Sequence, residues 1–182
     1  MSLLTYRELL GLVESGVLEN SDPSLVNAAS IDIRLGDSLL VEASGRYKWC
    51  NLSKKQVPPM RELEKDADGG WSLYPGDFAL VNTLEVFHLP ADIAAEYKLK
   101  SSLARAGLDH MLAGWADPGF HNATLTLELK NELKHTILKL HPGMKIGQMV
   151  FWRGEPVPDH ASYATRGQYN GQKEATPSRG LR

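Results

Sequence analysis

Cysteine occurs once in this 182-residue chain, at Cys50, so no internal disulfide can form, and without a Cys-x-x-Cys pair a thiolate zinc site is excluded. Beside Trp49 that lone thiol is expected to be a small buried hydrophobe. No apolar run approaches the roughly 18 residues that span a bilayer, and residues 1–16 have neither the basic start nor the apolar centre of a signal peptide. These absences point to a cytoplasmic protein with no membrane partner. Nor is there a surplus of positive charge: 20 Lys and Arg against 22 Asp and Glu leave a net charge of −2, which argues against a nucleic-acid partner while allowing a local basic site for a phosphorylated metabolite. Four further motifs are missing: G-x-x-x-x-G-K-S/T, G-x-G-x-x-G, G-x-S-x-G and H-E-x-x-H. The six histidines show no metal-ligand spacing.

With 42% hydrophobic and 23% charged residues, the chain has the composition of one globular domain. Thr5-Tyr6-Arg7-Glu8 is a capping-box pattern, and Leu4 and Leu9 can staple it. Leu9, Leu10, Leu12 and Val13 then predict a short amphipathic helix over about 4–16 that Gly16 can end with a left-handed cap.

From Ala29 the period becomes two, with Ile31, Ile33 and Leu35 alternating with Asp32 and Arg34 until Gly36-Asp37 breaks the run. Further strands are expected over 38–42, 71–74, 78–82, 94–99, 124–130, 136–140 and 148–152, with turns at Pro75-Gly76-Asp77 and Pro142-Gly143-Met144. Many short strands without a repeat of about 20 to 50 residues indicate a mainly β barrel or sandwich with one helix. Residues 53–70, rich in charge, are expected to form an exposed excursion. The chain divides into a domain over 1–158 and a polar tail over 159–182, which serves either as a frayed end or as a lid over a ligand.

Two stretches can carry chemistry. In "KLKSSLARAGL", Lys100, Ser101, Ser102 and Arg105 gather cations, hydroxyls and backbone amides within six positions. That set suits a phosphate, with Arg105 about one turn beyond the serines and able to bind two oxygens at once. Taken alone, the commoner reading is a serine N-cap on a surface helix. In "AGWADPGFHNATLTLELKN", Glu128 lies on the face opposite Leu125, Leu127 and Leu129. By pattern alone it belongs to a solvated strand face, and Asp117 in Asp-Pro-Gly is a turn residue that accepts a local amide.

"KSSLARAGL", "AGWADPGF", "LTLELKN" and "HPGMKIGQMVF", in that order, resemble the dCTP deaminases of the trimeric dUTPase superfamily, as do "NAASIDIRLGD", "LYPGDFALVNTLEVFHLP" and the tail "QYNGQKEATPSRG". The resemblance covers roughly residues 24–180. It implies a distorted β-barrel or jelly-roll of the dUTPase-like type, a homotrimer with active sites between subunits, and a tail that closes over a deoxynucleoside triphosphate carried with Mg²⁺, without zinc. Ser101, Ser102 and Arg105, with Lys100 beside them, then hold phosphates and help organise the catalytic water. Glu128 is the general base, and Asp117 contacts deoxyribose or orients the water that attacks the α-phosphate. Ala113 and Trp115 fall in the nucleotide segment, Gln148 matches a position near the nucleotide, and Tyr163, Tyr169 and Gln172 fit the closing tail.

An aromatic at Trp115 is similar to members that convert dCTP to dUMP, whereas strict deaminases can carry Arg there. Three departures stand out. One residue is missing between Arg105 and Ala113, where His110 and Leu112 stand for the family's His and Thr in a segment that lines the base pocket. One residue is extra between Asp117 and Glu128. Gln168 replaces a tail Lys that contacts phosphate, although Arg166 or Lys173 can take that part. The resemblance leaves open a pyrophosphatase without deamination, or a non-catalytic nucleotide-binding trimer.

Overall fold

The computed structural model describes residues 1–45 and 49–180, so the last two residues of the expected tail, 181–182, lie outside the described residues. From the amino end come β1 (Ser2–Leu3), α1 (Tyr6–Glu14), β2 (Leu18–Glu19) and the long β3 (Ile31–Glu42). There follow β4 (Met60–Glu62), β5 (Trp71–Leu73), β6 (Phe78–His88), β7 (Ile93–Leu99), α2 (Ser101–Arg105), β8 (Leu108–His110) and β9 (Trp115–Ala116). The chain continues through β10 (His121–Asn131), β11 (Leu138–Leu140) and β12 (Lys145–Arg153) to α3 (Tyr163–Arg166) in the tail. The fold is mainly β, a curled sheet with one short helix at the N-terminus.

The main sheet runs β8-β10-β6-β3-β12-β7-β9, while β5 and β11 form a separate pair. β3 is its corner. Its first half pairs with β12 (Ile33 with Gly147, Asp32 with Gln148) and its second half with β6 (Leu39 with Val81, Val41 with Ala79). Sequence pattern predicts a break at Gly36-Asp37, but β3 passes through it with a register irregularity between Leu35 and Leu39. The reason lies across the sheet. Asn82 Oδ1 accepts from the Ser38 amide at 2.9 Å, and a Cβ on Gly36 would sit 2.4 Å from the same side chain. Gly36 is therefore a close-approach residue at a bulge, where the side chain of a neighbouring strand replaces a ladder bond.

Ile31, Ile33, Leu35 and Leu39 of β3 are fully buried together with Val81, Phe87, Leu127, Leu129, Met149 and Phe151, and this single core closes the curl. Helix α1 lays Leu9 and Leu12 on it. The Glu8 carboxylate accepts from the Thr5 amide at 3.2 Å, as the capping pattern predicts, and Gly16 ends the helix region at φ +75°. The excursion over 53–70 is exposed for the most part but contains β4, which pairs with the edge of β3. Cys50 departs from expectation: it is exposed beside a fully exposed Trp49, because the stretch over 49–59 lies outside the sheet and offers no core to join.

One buried ion pair crosses the corner. Glu85, wholly buried in β6, accepts from Arg34 Nε at 2.8 Å and from the Arg34 amide at 2.9 Å, while the guanidinium also reaches the Asn20 carbonyl. Burial pushes the Glu85 carboxyl above its ordinary range even though both Arg34 bonds oppose this. Glu85→Ala leaves the Arg34 amide and much of its charge unsatisfied, and is expected to lower stability by about 3–5 kcal/mol in urea unfolding. A loss below about 1 kcal/mol would contradict this role.

Candidate active site

The residues singled out by sequence fall into two clusters. The first lies where β3, β12 and β7 meet. Lys100 precedes α2 and pairs with Asp32 at 2.7 Å, and Lys145 reaches the same carboxylate at 3.0 Å. Asp32 is 4% exposed; burial favours its neutral form, but the two ammonium groups and the Asn27 amide outweigh it and hold the carboxyl below its usual range. One buried negative charge thus sits between two cations, leaving a net positive spot. Ser101, Ser102 and Arg105 are exposed beside it on α2. Gln148, opposite Asp32 in the β3–β12 ladder, accepts from the Ser30 hydroxyl at 3.2 Å.

The second cluster surrounds a cavity of about 500 Å³. Ala113, Trp115, Glu128, Tyr163, Tyr169 and Gln172 all line it, with apolar walls from Met60, Phe78, Leu80 and Phe120. Glu128 and Leu80 are direct partners across the β10–β6 ladder. The face that alternation assigns to solvent is therefore the wall of a pocket. The cover comes from two distant segments, the connection around Pro58 and the tail at Thr176 and Ser178.

The Glu128 side chain keeps 27% of its exposure, yet Oε2 is sealed from solvent and has no hydrogen-bond partner among the described residues. Burial pushes its carboxyl above the ordinary range. An unpaired carboxylate with a raised pKa beside an open cavity is suited to taking up a proton. His110, on β8, brings Nε2 to 3.7 Å from Oε2.

Asp117 lines a smaller adjoining cavity with Tyr163, Arg166, Gln168 and Tyr169. Its Oδ1 accepts from Trp115 Nε1 at 2.8 Å, and Trp115 in turn packs against Trp152 with ring centroids 5.8 Å apart. The Asp-Pro-Gly turn is real, the Phe120 amide donating to the Asp117 carbonyl at 3.1 Å, but it is also a dock. The Tyr163 amide donates to the Pro118 carbonyl at 2.9 Å, and Tyr163 meets Phe120 edge-on at 5.5 Å.

The tail beyond Tyr163 lies along β10. The Thr124 amide donates to the Gln172 carbonyl at 2.9 Å, the Gln172 Nε2 donates to the Thr124 carbonyl at 2.8 Å, and the Thr176 amide donates to the Thr126 hydroxyl at 3.2 Å. Arg179 stacks over Tyr169 at 5.3 Å.

Within one chain, then, the structure brings Ala113, Trp115, Glu128, Tyr163, Tyr169 and Gln172 to one cavity, with Asp117 beside it. It does not bring in Lys100, Ser101, Ser102, Arg105 or Gln148, which line neither cavity. Asp32 and Lys145 carry no sequence signal, because their pairing joins β3 to β12, and nor does Tyr97, which packs against His110. A lone histidine in a three-residue strand carries no periodic signal.

Fold and site together define a mainly β protein, a curled sheet with a desolvated carboxylate in its pocket. A family model described as dCTP deaminase-like matches residues 3–154, and the chain belongs to that family. A "dCTP deaminase, dUMP-forming" of a Nocardioides species is 41% identical over 184 residues, covering 97% of this chain and 94% of that protein. Its counterpart from Acidothermus cellulolyticus is 39% identical over 182 residues, with 97% and 94% covered. Among solved structures, the 2'-deoxycytidine 5'-triphosphate deaminase from Agrobacterium tumefaciens matches in fold, with a TM-score of 0.61 at 21% identity over 84% of this chain. This chain spans about half of that one's length, covering 48% of it.

Gly119 is the hinge of the dock: its φ is +87°, and a Cβ there would lie 2.0 Å from the Ser162 hydroxyl. Gly119→Ala is expected to release the tail, so that trypsin cuts after Arg166 or Lys173 at least tenfold faster while the sheet stays intact. Unchanged cleavage would show that the tail is held elsewhere.

Proposed function

We propose that this chain hydrolyses dCTP to dUMP in two steps, first dCTP and water to dUTP and ammonia, then dUTP and water to dUMP and pyrophosphate. The observation that carries the reading is Glu128, whose carboxylate lines the cavity with one oxygen sealed from solvent and its pKa raised by burial. A base in that state takes a proton from water as the water oxygen bonds to cytosine C4, and passes it to the amino group as the C4–N4 bond breaks. Such transfer contributes about 10² to 10⁴ in rate. The relatives named dUMP-forming, similar over nearly the whole chain, support the product.

The second hydrolysis falls to Asp117. It faces a cavity contiguous with residues of the first, and Trp115 fixes its carboxylate through the indole N–H. Asp117 contacts the deoxyribose and orients the water that attacks the α-phosphate. Ala113 and Trp115 line the base end of the pocket. Tyr163, Tyr169 and Gln172 close it as part of a lid over 159–182, separate from the domain over 1–158.

The triphosphate lies against Ser101, Ser102 and Arg105, with the net charge of Lys100 and Lys145 behind them and Gln148 nearby. Ser101, Ser102 and Arg105 are exposed, Lys100 and Gln148 are half-buried, and none of them lines a cavity of its own chain, which supports a homotrimer in which α2 of one copy faces the cavity of the next. Mg²⁺, carried with the triphosphate, would supply charge neutralisation when bound, while Ser101, Ser102 and Arg105 hold the phosphates.

Glu128→Gln keeps the hydrogen-bonding shape and removes the base. Ammonia release from dCTP is expected to vanish while dCTP binding stays within about tenfold. Near-wild-type deamination would sink the assignment. Arg105→Ala is expected to weaken triphosphate binding by about 1.5–3 kcal/mol in calorimetric titration, the scale of a charge-assisted contact. An unchanged dissociation constant would place the phosphates elsewhere.

A further inference from the structure

Behind Glu128 lies a buried polar group that the two hydrolyses above do not use. His110 and Glu128 sit on neighbouring antiparallel strands, His110 opposite Leu129. His110 Nε2 and Glu128 Oε2 are 3.7 Å apart, both are shut off from solvent, and neither has a hydrogen-bond partner among the described residues. Buried polar atoms are seldom left unsatisfied, and here two of them share one space.

The imidazole is held in place from the other side. Its ring stacks on Tyr97 with centroids 4.6 Å apart and planes at 59°. Tyr97 can lie there because two glycines leave room: a Cβ on Gly147 would come 2.1 Å from its ring, and one on Gly114 would come 2.8 Å from its own Cβ. The charged and titratable groups around His110 are Asp109 on its own strand, Glu128 on β10 and Tyr97 on β7. Burial pushes the His110 pKa down to about 4 although Asp109 opposes this, and it pushes the Tyr97 phenol up. The ring is therefore neutral at pH 7 and has one N–H to place. If that proton sat on Nδ1, a lone pair on Nε2 would face an ionised carboxylate inside the protein.

We propose that His110 is the positioning residue of Glu128: its Nε2–H donates to Oε2 and fixes the carboxylate, leaving Oε1 to take the proton from water. At 3.7 Å the bond is not yet made, and it forms when substrate closes the pocket, as catalytic hydrogen bonds commonly tighten in the substrate complex. The Gly114–Tyr97–Gly147 packing is thus a support for the base, reached through His110. The inference rests on Glu128 being the base.

Two measurements on the full-length protein test it. In the first, ¹⁵N-histidine NMR of the wild-type protein is expected to find His110 neutral between pH 5.5 and 8, on the order of one unit or more above its lowered pKa, with its proton on Nε2. A proton on Nδ1 would overturn the proposal whatever the turnover data say. In the second, His110→Phe keeps a ring on Tyr97 and removes the donor, while His110→Gln returns an N–H near the Nε2 position. The Phe variant is expected to lose about 10²-fold in kcat for ammonia release with KM for dCTP within about threefold, and the Gln variant to recover at least about tenfold of that loss. A Phe variant within threefold of wild type, or Phe and Gln variants equally impaired, would overturn it. Should the Phe variant not fold, the tautomer decides. The two readings also fail separately: deamination by Glu128→Gln removes the base, whereas a His110 Nδ1–H removes only the positioning.

Discussion

The hydrogen bond from the Leu125 amide to the Thr83 hydroxyl, 3.0 Å long and wholly buried, is where the pocket is decided. Thr83 also donates to the Glu85 carbonyl at 2.8 Å, so one side chain closes a gap in the β6–β10 ladder at the irregularity between Thr124 and Thr126. Ala123, Thr124 and Leu125 are buried in succession there, and period two resumes only afterwards. A strand that gains a residue at a bulge changes which face every later residue occupies. β10 gains its residue at Asn122, between the His121–His88 and Ala123–Phe87 pairs, so Ala123 and the leucines at 125, 127 and 129 go to the core, and Thr126 and Glu128 go to the cavity. The residue that is extra relative to the family pattern between Asp117 and Glu128 falls in this span, where a bulge can absorb it without turning Glu128 away.

The gap opposite Leu125, between Thr124 and Thr126, is where the tail docks. The Thr124 amide bonds to Gln172 in the tail, and the Thr126 hydroxyl takes the Thr176 amide. The docked tail and the Glu128 carboxylate therefore share one strand, with Gln172 covering a neighbour of that carboxylate. The missing residue between Arg105 and Ala113 has a local counterpart too. Leu112 sits at φ +60°, its amide turned back to the His110 carbonyl at 2.8 Å, and it is 89% exposed. That tight turn carries the chain from His110, held inside, to Ala113 at the cavity.

Elements with a strong local period were legible in the sequence: α1 with its cap, the two halves of β3, and the cores of β6, β7, β10 and β12. So was the side of β10 that carries Glu128. Its burial was not, because cover from Met60 and from the tail is non-local and leaves no trace in an eleven-residue strand. Gly36 was misread as a terminator for the same kind of reason, since the partner that requires it, Asn82, is on another strand. Cys50 was misplaced because a small apolar residue beside a tryptophan looks like core unless the path of the connection is known. The functional assignments of Ser101, Arg105 and Asp117 came from ordered motifs shared with a family, and periodicity by itself pointed the other way.

What emerges is a division of chemistry between two places that one chain keeps apart. A desolvated carboxylate sits in an apolar cavity, and a cationic rim built around Asp32 lies outside it. Under the proposed function, neighbouring copies acting on one nucleotide join them. The most direct test is to incubate the protein with Mg²⁺ and dCTP, and separately with dUTP, and to quantify ammonia, pyrophosphate and dUMP. Equal amounts of all three from dCTP are predicted. Pyrophosphate without ammonia, or tight binding with no product from either nucleotide, would contradict it.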